Sequence, residues 1–194
     1  MAYQGIRVVL ASKSPRRREL LSQICDGFDI MSEEVDESFT SDIAPREAVE
    51  MLSVRKGRAV VQSVDSDTLV ISSDTLVEAD GIPLGKPTDE NDAFRMLRTL
   101  SGRYHNVHTG VAVHYRGRCF SGTATSHVLF KEMTDADIWE YIATKEPMDK
   151  AGAYGIQGIG GKFVESYQGD FDTIMGLSVS LTKELMDRAI EECV

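Results

Sequence analysis

The residues able to do chemistry in this 194-residue chain fall into a few short segments. Residues 12–18 read SKSPRRR and hold Lys13, Arg16, Arg17 and Arg18. They follow a short apolar run, IRVVLA at 6–11, and precede Leu20, Leu21 and Ile24 at helical spacing. Ser14 reads as a helix N-cap, with Pro15 at the first helical position. Free N–H groups at a helix start favour an anion, and Arg offers bidentate geometry to phosphate oxygens. Ser12 and Ser14 add hydroxyl donors. The predicted chemistry is a phosphate cradle. The competing reading is a solvated basic first turn, against which stands the cost of cations at the positive end of a helix dipole.

Carboxylates form the second group. Glu33, Glu34, Asp36 and Glu37 make an acidic run, and Asp74 follows the apolar stretch TLVIS at 68–72. A carboxylate at a strand end can hold a metal or activate water, or simply close a turn. GIPLGKP at 81–87 lacks one residue between its glycines, and Pro87 stands where a P-loop needs Ser or Thr, so a P-loop is rejected. Lys86 remains as a cation beside a proline, either a phosphate contact or an ordinary exposed lysine. Gly155, Gly158, Gly160 and Gly161 are followed by strand-like FVES, which excludes a dinucleotide fingerprint. These glycines can admit a flat ligand, with Gln157 supplying donor and acceptor, or mark a plain surface loop. DSDTL at 65–69 approximates the aspartyl phosphatase motif, with Leu69 out of pattern.

Helices and strands must position these groups. The pattern predicts helices opening at Pro45, over 89–100 with Thr88 as cap, from Thr134 through Tyr141, and over 178–191. It predicts strands at 6–11, 28–31, 68–72, 104–115, 118–130 and 163–166, with an Asp80-Gly81 hairpin turn after LVEA. Residues 32–42 read as irregular. Interleaved helices and hairpins argue for an α/β fold with a mixed sheet in one domain, 1–194.

Composition narrows the partners. The net charge is −10, from 21 Lys plus Arg and 31 Asp plus Glu, so a nucleic acid polymer is a poor substrate. No apolar run is long enough for a membrane span. Cys25, Cys119 and Cys193 are far apart and odd in number, as expected of reduced thiols in a cytoplasm. His105 and His108 fall on opposite faces of their strand, so a histidine metal site there is not expected.

In this order, LASKSPRRRELL, EVDES, Lys56, ISSDTLV, GKP, MLRTLSGRYHNVHTGVAV, DKAGAYGIQGIGGKFVE and GDFDTIMGL resemble the Maf family of nucleoside triphosphate pyrophosphatases over nearly the whole chain. The resemblance implies an elongated, two-lobed α/β domain with a twisted mixed sheet and a central cleft, similar to the inosine triphosphatases. It implies hydrolysis of a nucleoside triphosphate to monophosphate and pyrophosphate with a divalent cation: magnesium, manganese or cobalt. By resemblance Asp74 is the proton acceptor, with a metal-ligand role also open. Arg16, Thr75 and Gln157 match the positions that separate substrates and resemble the dTTP and UTP subgroup. Ser12, Ser14, Arg17, Lys56 and Lys86 would hold phosphates, and Glu37 would hold the metal. The hairpin at 104–130 offers an edge for a homodimer. Gly57 and Ser73 replace common alanines, which is expected to matter little. Ser178 replaces a proline, which is expected to loosen the entry to the last helix. The alternatives are a nucleotide-sensing cell-division regulator without turnover and a phosphatase using Asp65 or Asp67.

Overall fold

The computed structural model describes residues 3, 5–40 and 42–193. Met1 and Val194, the ends of the expected domain, and Ser41 in the expected irregular stretch lie outside the described residues. The chain divides into two compact units. The first comprises Met1–Asp74, Thr109–Ala124 and Gly176–Val194, and the second Thr75–His108 and Thr125–Met175.

The strands are β1 (Arg7–Leu10), β2 (Asp29–Ile30), β3 (Thr68–Ala79), β4 (Ile82–Leu84), β5 (Tyr104–Tyr115), β6 (Arg118–Phe130) and β7 (Val164–Gln168). The helices are α1 (Pro15–Leu21), α2 (Pro45–Val61), α3 (Glu90–Leu100), α4 (Asp135–Ala143), α5 (Phe171–Met175) and α6 (Val179–Glu192). The strands form one sheet in the order β2-β1-β3-β5-β6-β7, with β4 beside β3. β1 runs parallel to β2 and to β3, pairing Val9 with Asp29 and with Val70. β4 and β7 pair antiparallel with β3 and β6. The sheet is therefore mixed, as the alternation of helices and hairpins predicts.

In the first unit Val9, Ala11, Val60 and Val70 form a core under Met31, Val61 and Val64. A Cβ at Gly110 would lie 2.3 Å from the Val49 carbonyl oxygen, so β5 and the α2 backbone meet without room for any side chain. The second unit has its own core, in which Leu97, Phe130, Ile138, Tyr141 and Tyr154 are buried together. His105 lies in that core, while His108 faces Glu78 and Thr125, so the two histidines do sit on opposite faces.

Local chemistry sets the helix ends. Pro15 and Pro45 open α1 and α2, as expected. α3 is capped by Asp89, whose carboxylate accepts the Asp92 N–H at 2.8 Å, one residue later than the expected Thr88. Thr88 instead donates its N–H to Asp92, closing the start from the other side. Thr134 and Asp137 form a full capping box at α4. Ser178 caps α6 by accepting the Leu181 N–H at 3.4 Å, which overturns the expected loosening: the hydroxyl supplies the acceptor that proline lacks. The Asp80-Gly81 turn has both residues at positive φ, 53° and 78°. This is the geometry that such a two-residue hairpin requires.

Candidate active site

One expectation about Asp74 is corrected by the fold. It does not follow a strand but lies inside β3, which continues through Thr75 to Ala79. The polar run Ser72-Ser73-Asp74-Thr75 hides the continuation, because an apolar count stops at Ile71. Ser72 and Asp74 both meet α2: the Ser72 hydroxyl donates to the Ser53 carbonyl at 2.7 Å, and Asp74 pairs with Lys56. Alternation along the strand thus carries a buried serine and a buried carboxylate to one helix face.

Lys56 is the hub of the first unit's charged residues. Its ammonium donates to Asp74 Oδ1 and lies 2.8 Å from Glu37 Oε1. The Lys56 and Asp74 side chains are 16% and 11% exposed, whereas Glu37 is 56% exposed, so a largely buried pair is reached by a carboxylate from the surface. Glu37 belongs to an irregular loop that is nonetheless held. Asp36 accepts the Ser38 N–H at 2.8 Å, and Arg55 of α2 donates to the Ser38 carbonyl at 3.1 Å.

Arg17 joins this group from α1. Its Nε donates to the Gly176 carbonyl at 2.8 Å and its Nη1 to the Ser12 hydroxyl oxygen at 3.4 Å. Burial lowers the Arg17 pKa; the charges of Asp74 and Glu37 act against that, and Arg16 adds to it. The guanidinium therefore lies within the field of both carboxylates. Ser73 donates to the same Gly176 carbonyl at 2.9 Å, so the serine that replaces an alanine adds a second tie at Arg17's anchor. Ser14 occupies the N-cap position, but its side chain makes no capping bond; its N–H donates to Ser12 Oγ at 3.2 Å. Because α1 has only 7 residues, the cations carry more of any anion affinity than its dipole does.

The second unit holds Thr75, Lys86 and Gln157. Thr75 is half-buried on β3, Lys86 is exposed in the loop after β4, and Gln157 is exposed in a turn. The glycines around Gln157 are required by the protein's own packing. A Cβ at Gly158 would lie 2.5 Å from both Glu146 carboxylate oxygens, and one at Gly160 would lie 2.4 Å from the Tyr141 hydroxyl oxygen. The space is filled by the protein itself. Glu146, which no sequence motif marks, accepts the N–H groups of Ile159 and Gly160 at 2.9 and 3.0 Å. Burial raises its pKa, but those N–H groups, Tyr141 and Lys150 outweigh it and hold it below the usual carboxylate range. Only the clustering of glycines after a Glu-Pro hinted at such an acceptor.

The residues of the phosphatase alternative lie at the surface. Asp65 and Asp67 are exposed before β3, and Asp67 accepts from Arg116 Nε at 2.7 Å. Among the described residues no group of three or more His, Cys, Asp or Glu side chains is placed to hold a metal, and no helix is long and apolar enough to cross a membrane.

The family model described as "Maf-like protein" matches residues 7–189. A Clostridium botulinum protein named dTTP/UTP pyrophosphatase is 42% identical over 190 residues, covering 95% of this chain and 100% of its own. A Thermococcus kodakarensis protein of the same name is 46% identical over 180 residues, covering 93% and 95%. A solved nucleoside-triphosphatase (dITP/XTP pyrophosphatase) from Mycobacterium abscessus superposes with a TM-score of 0.48 at 13% identity, covering 97% and 98%.

Proposed function

The chain belongs to the Maf family, and from that premise we propose that it hydrolyses dTTP and UTP to the monophosphate and pyrophosphate. The observation that supports this most is the Lys56 ammonium shared by Asp74 and Glu37, with Arg17 in their field. A triphosphate brings about four negative charges to a protein whose net charge is already −10, so local cations must outweigh the field. Arg17, Lys56 and Lys86 supply them, and Ser12 and Ser14 supply neutral donors.

Asp74 serves as the base. It accepts a proton from the attacking water as the α–β anhydride bond breaks, and pyrophosphate leaves. Glu37, the exposed member of the group, suits an ion such as magnesium that takes its other ligands from phosphates and water. Glu37 would hold it, and when bound it would neutralise phosphate charge. Lys56 pairs with both Asp74 and Glu37 and keeps the base beside that carboxylate.

Base choice falls to Arg16, Thr75 and Gln157. A uracil or thymine edge offers acceptor, donor, acceptor, and one Gln amide can meet a carbonyl and the adjacent ring N–H. A mismatched edge leaves buried polar groups unpaired at about 1–3 kcal/mol each, which disfavours CTP. Gln157→Glu removes the amide donors and should reduce the preference for UTP over CTP more than it weakens phosphate binding.

Free cysteines at 25, 119 and 193 support a reducing, cytoplasmic setting. A homodimer would use the part of β6 before His127, since β7 pairs only from His127 onward; sedimentation of the purified protein tests it. The deciding experiment for function is a panel of nucleoside triphosphates with magnesium, manganese or cobalt, reading both phosphate products. Pyrophosphate from dTTP and UTP is expected. Orthophosphate would favour the phosphatase, and binding without either product would favour a sensor.

A further inference from the structure

The turn that carries Gln157 is tied down on both sides by one carboxylate–phenol pair, of which the phenol is buried. Glu146 Oε1 accepts the Tyr141 hydroxyl at 2.8 Å and the Gly160 N–H at 3.0 Å, while Oε2 accepts the Ile159 N–H at 2.9 Å. The Tyr141 hydroxyl accepts the Gly155 N–H at 3.3 Å. Gln157 therefore sits between two points held by the same carboxylate and phenol. The pair is itself anchored. Tyr141 is fully buried on α4, edge-on to Phe163 at 5.3 Å, and Lys150 donates to the Glu146 carbonyl at 2.8 Å.

The glycines record the closeness of this fit. A side chain at Gly158 would displace the Glu146 carboxylate, and one at Gly160 would strike the Tyr141 hydroxyl. An exposed turn of this composition would otherwise be free to take many conformations, each of which must be lost when a base is read. Binding to a turn already held in place loses less entropy and fixes which edge the amide presents.

We propose that Glu146, with Tyr141, is the positioning residue of base selection, holding the 155–160 turn so that Gln157 presents its amide in one orientation. The proposal rests on the reading of Gln157 as the base-contacting residue. Glu146 acts through the turn and touches neither phosphate nor the reacting atoms.

Glu146→Gln is the direct test. It keeps the size but turns one acceptor oxygen into an amide that opposes a backbone N–H. The expected result is a fall on the order of tenfold in the preference for UTP over CTP, carried by KM, with kcat within about twofold of wild type. Inhibition by pyrophosphate, which has no base, should be unchanged. Amide exchange at Ile159 and Gly160 should accelerate without substrate. Tyr141→Phe removes one donor and one acceptor and should move the same readouts less. If Glu146→Gln fails to fold, Gly158→Ala carries the same measurements, because its Cβ displaces the same carboxylate.

The proposal is overturned if exchange at Ile159 and Gly160 is unchanged. It is equally overturned if kcat falls and pyrophosphate inhibition weakens as KM rises, or if exchange accelerates while base preference stays at the wild-type value. Wild-type protein that turns over CTP as readily as UTP would remove the base-reading role and this inference together. A wild-type preference left intact in the variants would remove the inference alone.

Discussion

At the scale of single residues, Asp74, Lys56, Glu37 and Arg17 carry the proposed chemistry, and Asp74 and Arg17 each make a distinct prediction possible. Asp74→Asn preserves shape and one acceptor oxygen but removes the base. Turnover should fall by about 10² to 10⁴, with KM little changed, as read from pyrophosphate release. Turnover near wild type would exclude Asp74 as the base. Arg17→Ala removes a charge without base identity, so it should weaken every nucleoside triphosphate alike. The loss should be about 1.5–3 kcal/mol, seen as a common rise in KM for dTTP, UTP, CTP and GTP. Because Arg17 also donates to Gly176 and Ser12, its melting midpoint must be measured beside the kinetics. Weakening confined to one base would mean that Arg17 reads the base.

At the scale of elements, the glycines inside helix and strand explain packing that their local propensities oppose. Gly57 lies within α2, where alanine would raise helix propensity by about 1 kcal/mol. Yet a Cβ there would lie 2.5 Å from the His114 ring and 2.6 Å from the Ser72 hydroxyl, which is held by the Ser53 carbonyl. The exchange of alanine for glycine at this position is therefore not the neutral change that residue size suggests. Gly57→Ala should destabilise the protein by about 1–3 kcal/mol through overpacking, as measured by urea denaturation. A more stable variant would show that His114 and Ser72 can yield.

At the scale of the whole molecule, stability should depend on pH through a buried histidine. His105 is 3% exposed, shares a hydrogen bond of 2.8 Å with Tyr154, and meets the Phe130 ring edge-on at 4.8 Å. Burial lowers its pKa from 6.5 to about 4, with the Arg103 backbone opposing. Between those values the unfolded chain binds a proton that the folded chain does not. Stability is therefore full above about pH 6.5 and falls as pH drops toward 4. This one residue should account for about 2 kcal/mol between pH 7 and 4.5. His105→Gln keeps a partner for Tyr154 without a titrating ring, and its urea midpoint should fall less over that range. An equal fall would assign acid sensitivity to other groups.

Much of this protein is determined locally and was legible in the residues themselves. Pro15 starts a helix, Thr134 and Asp137 close a capping box, and Asp80-Gly81 turns a hairpin, because each depends on atoms a few residues apart. Family membership was likewise legible in the order of the motifs along the chain. What pairs with what was decided only by tertiary structure. The polar run 72–75 conceals that β3 continues, since its buried serines are satisfied by Ser53 and Gly176, 19 and 103 residues away. The meaning of Gly158 and Gly160 depends on a carboxylate and a phenol from α4 and the turn after it. Backbone conformation is set by near neighbours, whereas the satisfaction of a buried polar group is set by whichever distant atom the fold brings within hydrogen-bonding reach.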